Sequence, residues 1–67
     1  MNHLRELRKE QGLAQQGLAV RASVSPSLVV MIERWGYRPT EAVRDRIARA
    51  LNCNVTDIWS NSNPDAS

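Results

Sequence analysis

The chain has one cysteine, one histidine, no phenylalanine, three prolines and three glycines among 67 residues. A lone Cys53 cannot form an internal disulfide. No Cys or His stands near it at zinc-ligand spacing, so folding must rest on packing alone and a reducing, cytoplasmic setting fits. With a single His, at position 3, no Ser/His/Asp constellation is possible, and that His has no metal-ligand partner. Aromatic residues make up 4% of the chain, and no apolar run approaches the roughly 18 residues of a membrane span. The N-terminus also lacks the charged-then-apolar layout of a secretory leader. A chain this short buries only about 60% of its unfolded surface, which leaves little room for both a core and a deep substrate cleft. The expectation is one domain, no cofactor, no metal and no catalysis.

The acidic and basic residues are almost balanced, at a net charge of +2, but they are not evenly spread. The first forty residues carry Arg5, Arg8, Lys9, Arg21, Arg34 and Arg38 against Glu6, Glu10 and Glu33. Beyond them Arg44, Arg46 and Arg49 face Glu41, Asp45, Asp57 and Asp65. A polyanion would therefore favour the N-terminal part.

Hydrophobic spacing predicts five short helices. Residues 2–11 place Leu4 and Leu7 on one face, with Asn2 as cap and Gly12 as stop. Residues 15–22 bring Leu18, Ala19 and Ala22 together, although Gly17 weakens the helix and Ala14 offers no capping oxygen. Ser25-Pro26 announces a third helix to about residue 34, with a capping hydroxyl followed by a ring suited to the first helical position. Val24, Val29 and Ile32 face the core by spacing. Only residues 23–25 separate the second helix from the third, a connection that makes two helices cross steeply as a helix-turn-helix. Thr40 caps a fourth helix with Val43, Ile47 and Leu51 inside, closed by Asn52. A last turn starts at Asn54, with Asp57 in a capping-box pattern, and buries Ile58 and Trp59. Cys53 is read as a small apolar core residue. Trp35 or Tyr37 is expected to lie over the fourth helix as a lid on the core. Residues 60–67 are polar and are expected to form a disordered tail, leaving a domain of residues 1–59.

Leu4-Arg5-x-x-Arg8, Gly12-Leu13-x-Gln15, Leu18-Ala19, Val24-Ser25, Ile32-Glu33-Arg34, Pro39-Thr40 and Ile47-Ala48-x-Ala50-Leu51 follow one another in this order. With them the chain resembles the Cro/cI-type (Xre) helix-turn-helix DNA-binding domains over residues 4–59. The resemblance implies an all-α, compact five-helix, lambda-repressor-like fold. It further implies that Gln15 touches a DNA phosphate, and that the third helix enters the major groove with Pro26, Ser27 and Met31 toward base edges. Arg34 and Arg38 would flank the backbone. Arg8 and Glu33 are implied to pair across the first and third helices as a structural link. The physics agrees, since a helix N-terminus holds anions, so Gln15 and its neighbour Gln16 are suited to a phosphate oxygen.

The third helix departs from the family pattern because Leu28, Val30 and Met31 stand where a DNA reader is usually polar. Three readings remain open. Leu28 or Met31 contacts thymine methyl groups; or Leu28, Val30 and Met31 dock a protein partner or a second copy; or the stripe is covered by other segments. Gly follows Trp35 here, whereas the family commonly has Gly directly after the Glu-Arg pair.

The expected function is a small sequence-specific regulator, a repressor that occludes polymerase, acting on double-stranded DNA as a homodimer on two half-sites. The resemblance implies a bacterial or phage setting, in the cytoplasm at the nucleoid. The alternative is a protein-interaction module of the same fold with weak or no DNA binding.

Overall fold

The computed structural model describes residues 2–59. It comprises α1 (Leu4–Glu10), α2 (Gln15–Ala22), α3 (Pro26–Trp35), α4 (Glu41–Ala50) and α5 (Val55–Ile58), with no strand among the described residues. The expected tail, residues 60–67, lies outside them.

Local chemistry sets most boundaries. The α1 N-cap is His3 rather than Asn2. Asn2 still serves that end, because its Oδ1 accepts the Leu4 N–H at 3.1 Å while its Nδ2 donates to the Ile32 carbonyl at 3.0 Å. Gly12, at φ 69°, takes the chain out of α1 through the left-handed region that an L side chain resists. Ser25 Oγ accepts from Leu28 N–H at 3.2 Å to start α3, and Thr40 Oγ1 accepts from Val43 N–H at 3.3 Å to start α4. The α5 turn is closed by the Asn54 N–H, which donates to Asp57 Oδ2 at 2.9 Å.

Leu4, Leu18, Val29, Ile32, Ile47, Leu51 and Ile58 are fully enclosed, and Ala19, Ala22, Ala48 and Trp59 complete the core. Leu7, Leu13, Val24, Leu28, Val43, Ala50, Cys53 and Val55 pack around it. The α2 helix packs on both α3 and α4, while α1 leans on α3 and α5 on α4. Ala19 and Ala22 of α2 and Ala48 of α4 are buried where the domain packs these two helices together, so α2 is held by its neighbours despite its weak propensity.

The helix-turn-helix bend turns on Ser23, at φ 59°. Arg46 reaches across from α4 to hold it, donating from Nη2 to the Ser23 carbonyl at 2.7 Å and from Nε to the Ala22 carbonyl at 3.3 Å. Those are end carbonyls of α2 that have no partner inside the helix.

One expectation is overturned. Trp35 and Tyr37 do not cover the core: Trp35 is 73% exposed and Tyr37 45%. The helix runs through Trp35 before Gly36, at φ 69°, reverses it, and the Tyr37 N–H donates to the Met31 carbonyl at 3.2 Å. Trp35 thus lies about 90° around α3 from the Val29–Ile32 centre line. The aromatic side chain that the core does enclose is Trp59, 6% exposed.

Candidate nucleic-acid interface

The N-termini of α2 and α3 are without acidic residues in their first turns, so neither helix offsets its own positive end. At α2 the cap residue is Ala14, which supplies no side-chain acceptor. The first N–H groups of that helix therefore remain available to an external oxygen.

Beside this end, α1, α2 and α3 meet through one ion pair. Arg8 Nε donates to Glu33 Oε2 at 2.6 Å and Nη2 to Oε1 at 3.1 Å, with side chains only 9% and 4% exposed. Arg8 Nη1 donates to the Leu13 carbonyl at 2.6 Å, and Gln15 Nε2 to Glu33 Oε1 at 3.1 Å. The fork-on-fork geometry fixes α3 against α1 and seats Gln15 at the same node. Part of the Gln15 amide is therefore engaged inside the protein.

Above the node lies an open depression of about 370 Å3 lined by Arg5, Arg8, Lys9, Gln15, Val30, Glu33 and Arg34. Four cations surround one carboxylate, and that carboxylate is occupied by Arg8. Among the described residues Arg5, Lys9 and Arg34 make no ion pair, so their charge faces solvent. Arg5 and Lys9 are absent from the residues the resemblance assigned. Their four-residue spacing, which puts both on one face of α1, was the available signal. A second depression, about 540 Å3, holds Arg21, Arg46 and Arg49. There Arg46 is committed to two carbonyls and Arg49 pairs with Asp45 at 3.1 Å, so less charge is on offer.

Gln16, Pro26, Ser27, Arg34 and Arg38 are exposed, and Gln15 is half-buried. The outermost line of α3 runs through Ser27 and Arg34, opposite Val29 and Ile32. Leu28, Val30 and Met31 do not form an outward stripe: all three are half-buried, and Leu28 packs against the core. An interaction surface built on these three side chains therefore has less apolar area than the sequence promised. Leu28 lies only about 70° from the centre of the buried face, which explains its inward lean.

Cys53 is half-buried against the core, and burial raises its thiol above the ordinary 9.0, with the Asp57 carboxylate adding to the effect. His3 is exposed and pairs with Glu6 at 2.9 Å. Among the described residues no group of three or more His, Cys, Asp or Glu is placed to hold a metal ion, and no helix is long and apolar enough to cross a membrane.

Two short helices joined by a tight left-handed bend, the second presenting its outer face beside a cationic bowl, define a helix-turn-helix protein. The helix-turn-helix family model, of the Cro/cI (Xre) type, matches residues 4–58, and the chain belongs to that family. It is 44% identical over 57 residues to a protein of Methanothermobacter thermautotrophicus described as an uncharacterized HTH-type transcriptional regulator, covering 84% of this chain and 83% of that one. Two proteins of Archaeoglobus fulgidus with the same description are each 30% identical over 56 residues, covering 84% of this chain and 80% and 79% of theirs. These relatives are archaeal, where the resemblance had pointed to bacteria and phages.

Proposed function

We propose that this chain is a DNA-binding transcriptional regulator, rather than an enzyme, that reads duplex DNA with α3. The α3 helix lies in the major groove with Pro26, Ser27 and Met31 toward base edges. Met31 offers apolar contact to thymine methyl groups, the one base-edge feature such a side chain reads, whereas Leu28 is turned toward the core. Gln15 and Gln16, with the open end of α2, hold one phosphate, and Arg34 and Arg38 flank the backbone. The observation that carries this reading is the bowl beside the α2 N-terminus, in which Arg5, Lys9 and Arg34 make no ion pair among the described residues.

A single domain with about four to six phosphate-facing cations binds weakly at physiological salt. Two copies on half-sites one helical turn apart supply the missing affinity. In this reading it acts by occupying an operator and excluding polymerase, as a repressor working at the nucleoid in the cytoplasm. The relatives named as HTH-type transcriptional regulators support the regulatory part of this reading.

Selection of bound sequences from a random duplex library tests it. The expected result is an enriched motif repeated at a centre-to-centre spacing of about 10 base pairs. Retention on duplex DNA at low salt no better than that of a neutral protein of equal size would overturn it.

A further inference from the structure

Val30 is an apolar side chain set among cations: it lines the bowl with Arg5, Lys9 and Arg34, none of which makes an ion pair among the described residues. We propose that Val30 and Met31 together read the C5-methyl groups of pyrimidines in the major groove, so that the protein senses the methyl itself and takes 5-methylcytosine as it takes thymine. This rests on the DNA reading given above and deepens it, because it names the base feature that sets sequence preference.

Three observations lead there. The first is what α3 lacks. Between Pro26 and Trp35 it has no Asn or Gln, so the bidentate amide that reads adenine is missing. Its side chains with hydrogen-bonding groups are Ser27, Glu33, Arg34 and Trp35. Glu33 is taken by Arg8 and Gln15, Arg34 faces the bowl, and Trp35 stands at the far end of the helix. The second observation is placement. Val30 and Met31 lie about 50° to either side of the outermost line through Ser27 and Arg34. Both are half-buried, so each keeps an accessible edge beside that line. The third is charge. Whatever meets Val30 also meets Arg5, Lys9 and Arg34, which is matched by a polyanion, and the small accessible area of the two side chains suits a methyl group better than the apolar face of a protein. The major groove of duplex DNA offers one apolar feature, the methyl at pyrimidine C5, which thymine and 5-methylcytosine share.

The test begins with changes to the DNA alone. The chain is titrated with the duplex enriched from the random library, with the same duplex carrying deoxyuridine for thymine, and, at each sensitive pair, with cytosine or 5-methylcytosine in place of thymine. Thymine against uracil, and 5-methylcytosine against cytosine, each differ by one methyl and keep the same hydrogen-bonding edge. Each sensitive thymine should lose about fourfold in affinity as uracil, the worth of one buried methyl, with the salt slope unaltered. At the same pair 5-methylcytosine should bind about fourfold better than cytosine. Val30→Ala and Met31→Ala should shrink these ratios while binding the uracil duplex as wild type does, which assigns the methyl contact to the two side chains. Equal affinity for thymine and uracil duplexes overturns the proposal and leaves DNA binding standing. Ratios that both variants keep in full overturn it too, because the methyl then acts through the shape and stiffness of the DNA. Failure of wild type to bind any duplex overturns the DNA reading, and this one with it.

Discussion

Arg8 and Glu33, 25 positions apart in the chain, are joined by two hydrogen bonds of 2.6 and 3.1 Å in a nearly dry site. Arg8→Ala strands the carboxylate with only Gln15, and Glu33→Ala strands the guanidinium with only the Leu13 carbonyl. Each should cost about 3 kcal/mol or more, a large share of the roughly 3–10 kcal/mol expected for a chain of this size. The pair Arg8→Met with Glu33→Leu should recover much of the loss, because no unpartnered charge stays buried. Urea midpoints measure this, and single variants that melt like wild type would refute it.

Ser23 sits in the left-handed region at φ 59° with a Cβ that disfavours it. Ser23→Gly should stabilise the domain by about 0.5–1 kcal/mol, the lower strain being partly offset by a freer unfolded chain. The expected rise in melting temperature is about 3–6 °C. Gly36→Ala should do the reverse by about 1 kcal/mol. A Cβ there has nothing within 4 Å, so φ alone sets the effect. Calorimetry in which both variants match wild type would remove the argument.

Arg5 and Lys9 bring α1 into the cationic bowl. Arg5→Ala and Lys9→Ala should each lower the slope of log affinity against log salt by about one unit and weaken all duplexes alike. Since both are exposed, stability should be unchanged. Slopes equal to wild type would place the phosphate track elsewhere on the surface.

The Cys53 thiol is held above its ordinary 9.0, first by burial and then by the Asp57 charge. Near pH 9 the unfolded chain releases a proton that the folded chain still keeps, so unfolding gains. The contribution of this group is whole below 9 and is lost as pH rises toward the raised folded value. Relative to Cys53→Val, wild type should keep a constant stability difference up to about pH 8 and lose ground above 9. Thermal melts from neutral to alkaline pH decide it; curves parallel throughout would contradict the shift.

Much of the fold is written in local pattern. Ser25-Pro26, Thr40, Gly12 and Asn52 mark helix ends because each works through its own backbone neighbours, and Val29, Ile32, Ile47 and Leu51 declare the inner faces by spacing. Interactions over distance are less visible. Arg46 caps carbonyls 24 and 23 residues upstream, a choice made by how α4 lies on α2 and not by any neighbour in sequence. Trp35 misleads for a related reason: a large apolar ring beside a small core suggests a cover, yet a single residue of extra helix carries it past the rim. At the candidate interface, the Arg8–Glu33 pair stood out by resemblance to the family. The tie from Gln15 to Glu33 and the share of Arg5 and Lys9 in the bowl depend on three helices converging, which no short window of sequence contains.

The His3 N–H donates to the Ile58 carbonyl at 2.8 Å, and Asn2 bonds Ile32 from the same end. Residues 3–58 thereby almost close into a loop, and the linear order of these five helices is separable from their packing. A circular permutant, spliced by a short linker near residues 3 and 59 and reopened in the exposed stretch at 36–38, would keep the interhelical contacts described and begin its synthesis with α4 instead of α1.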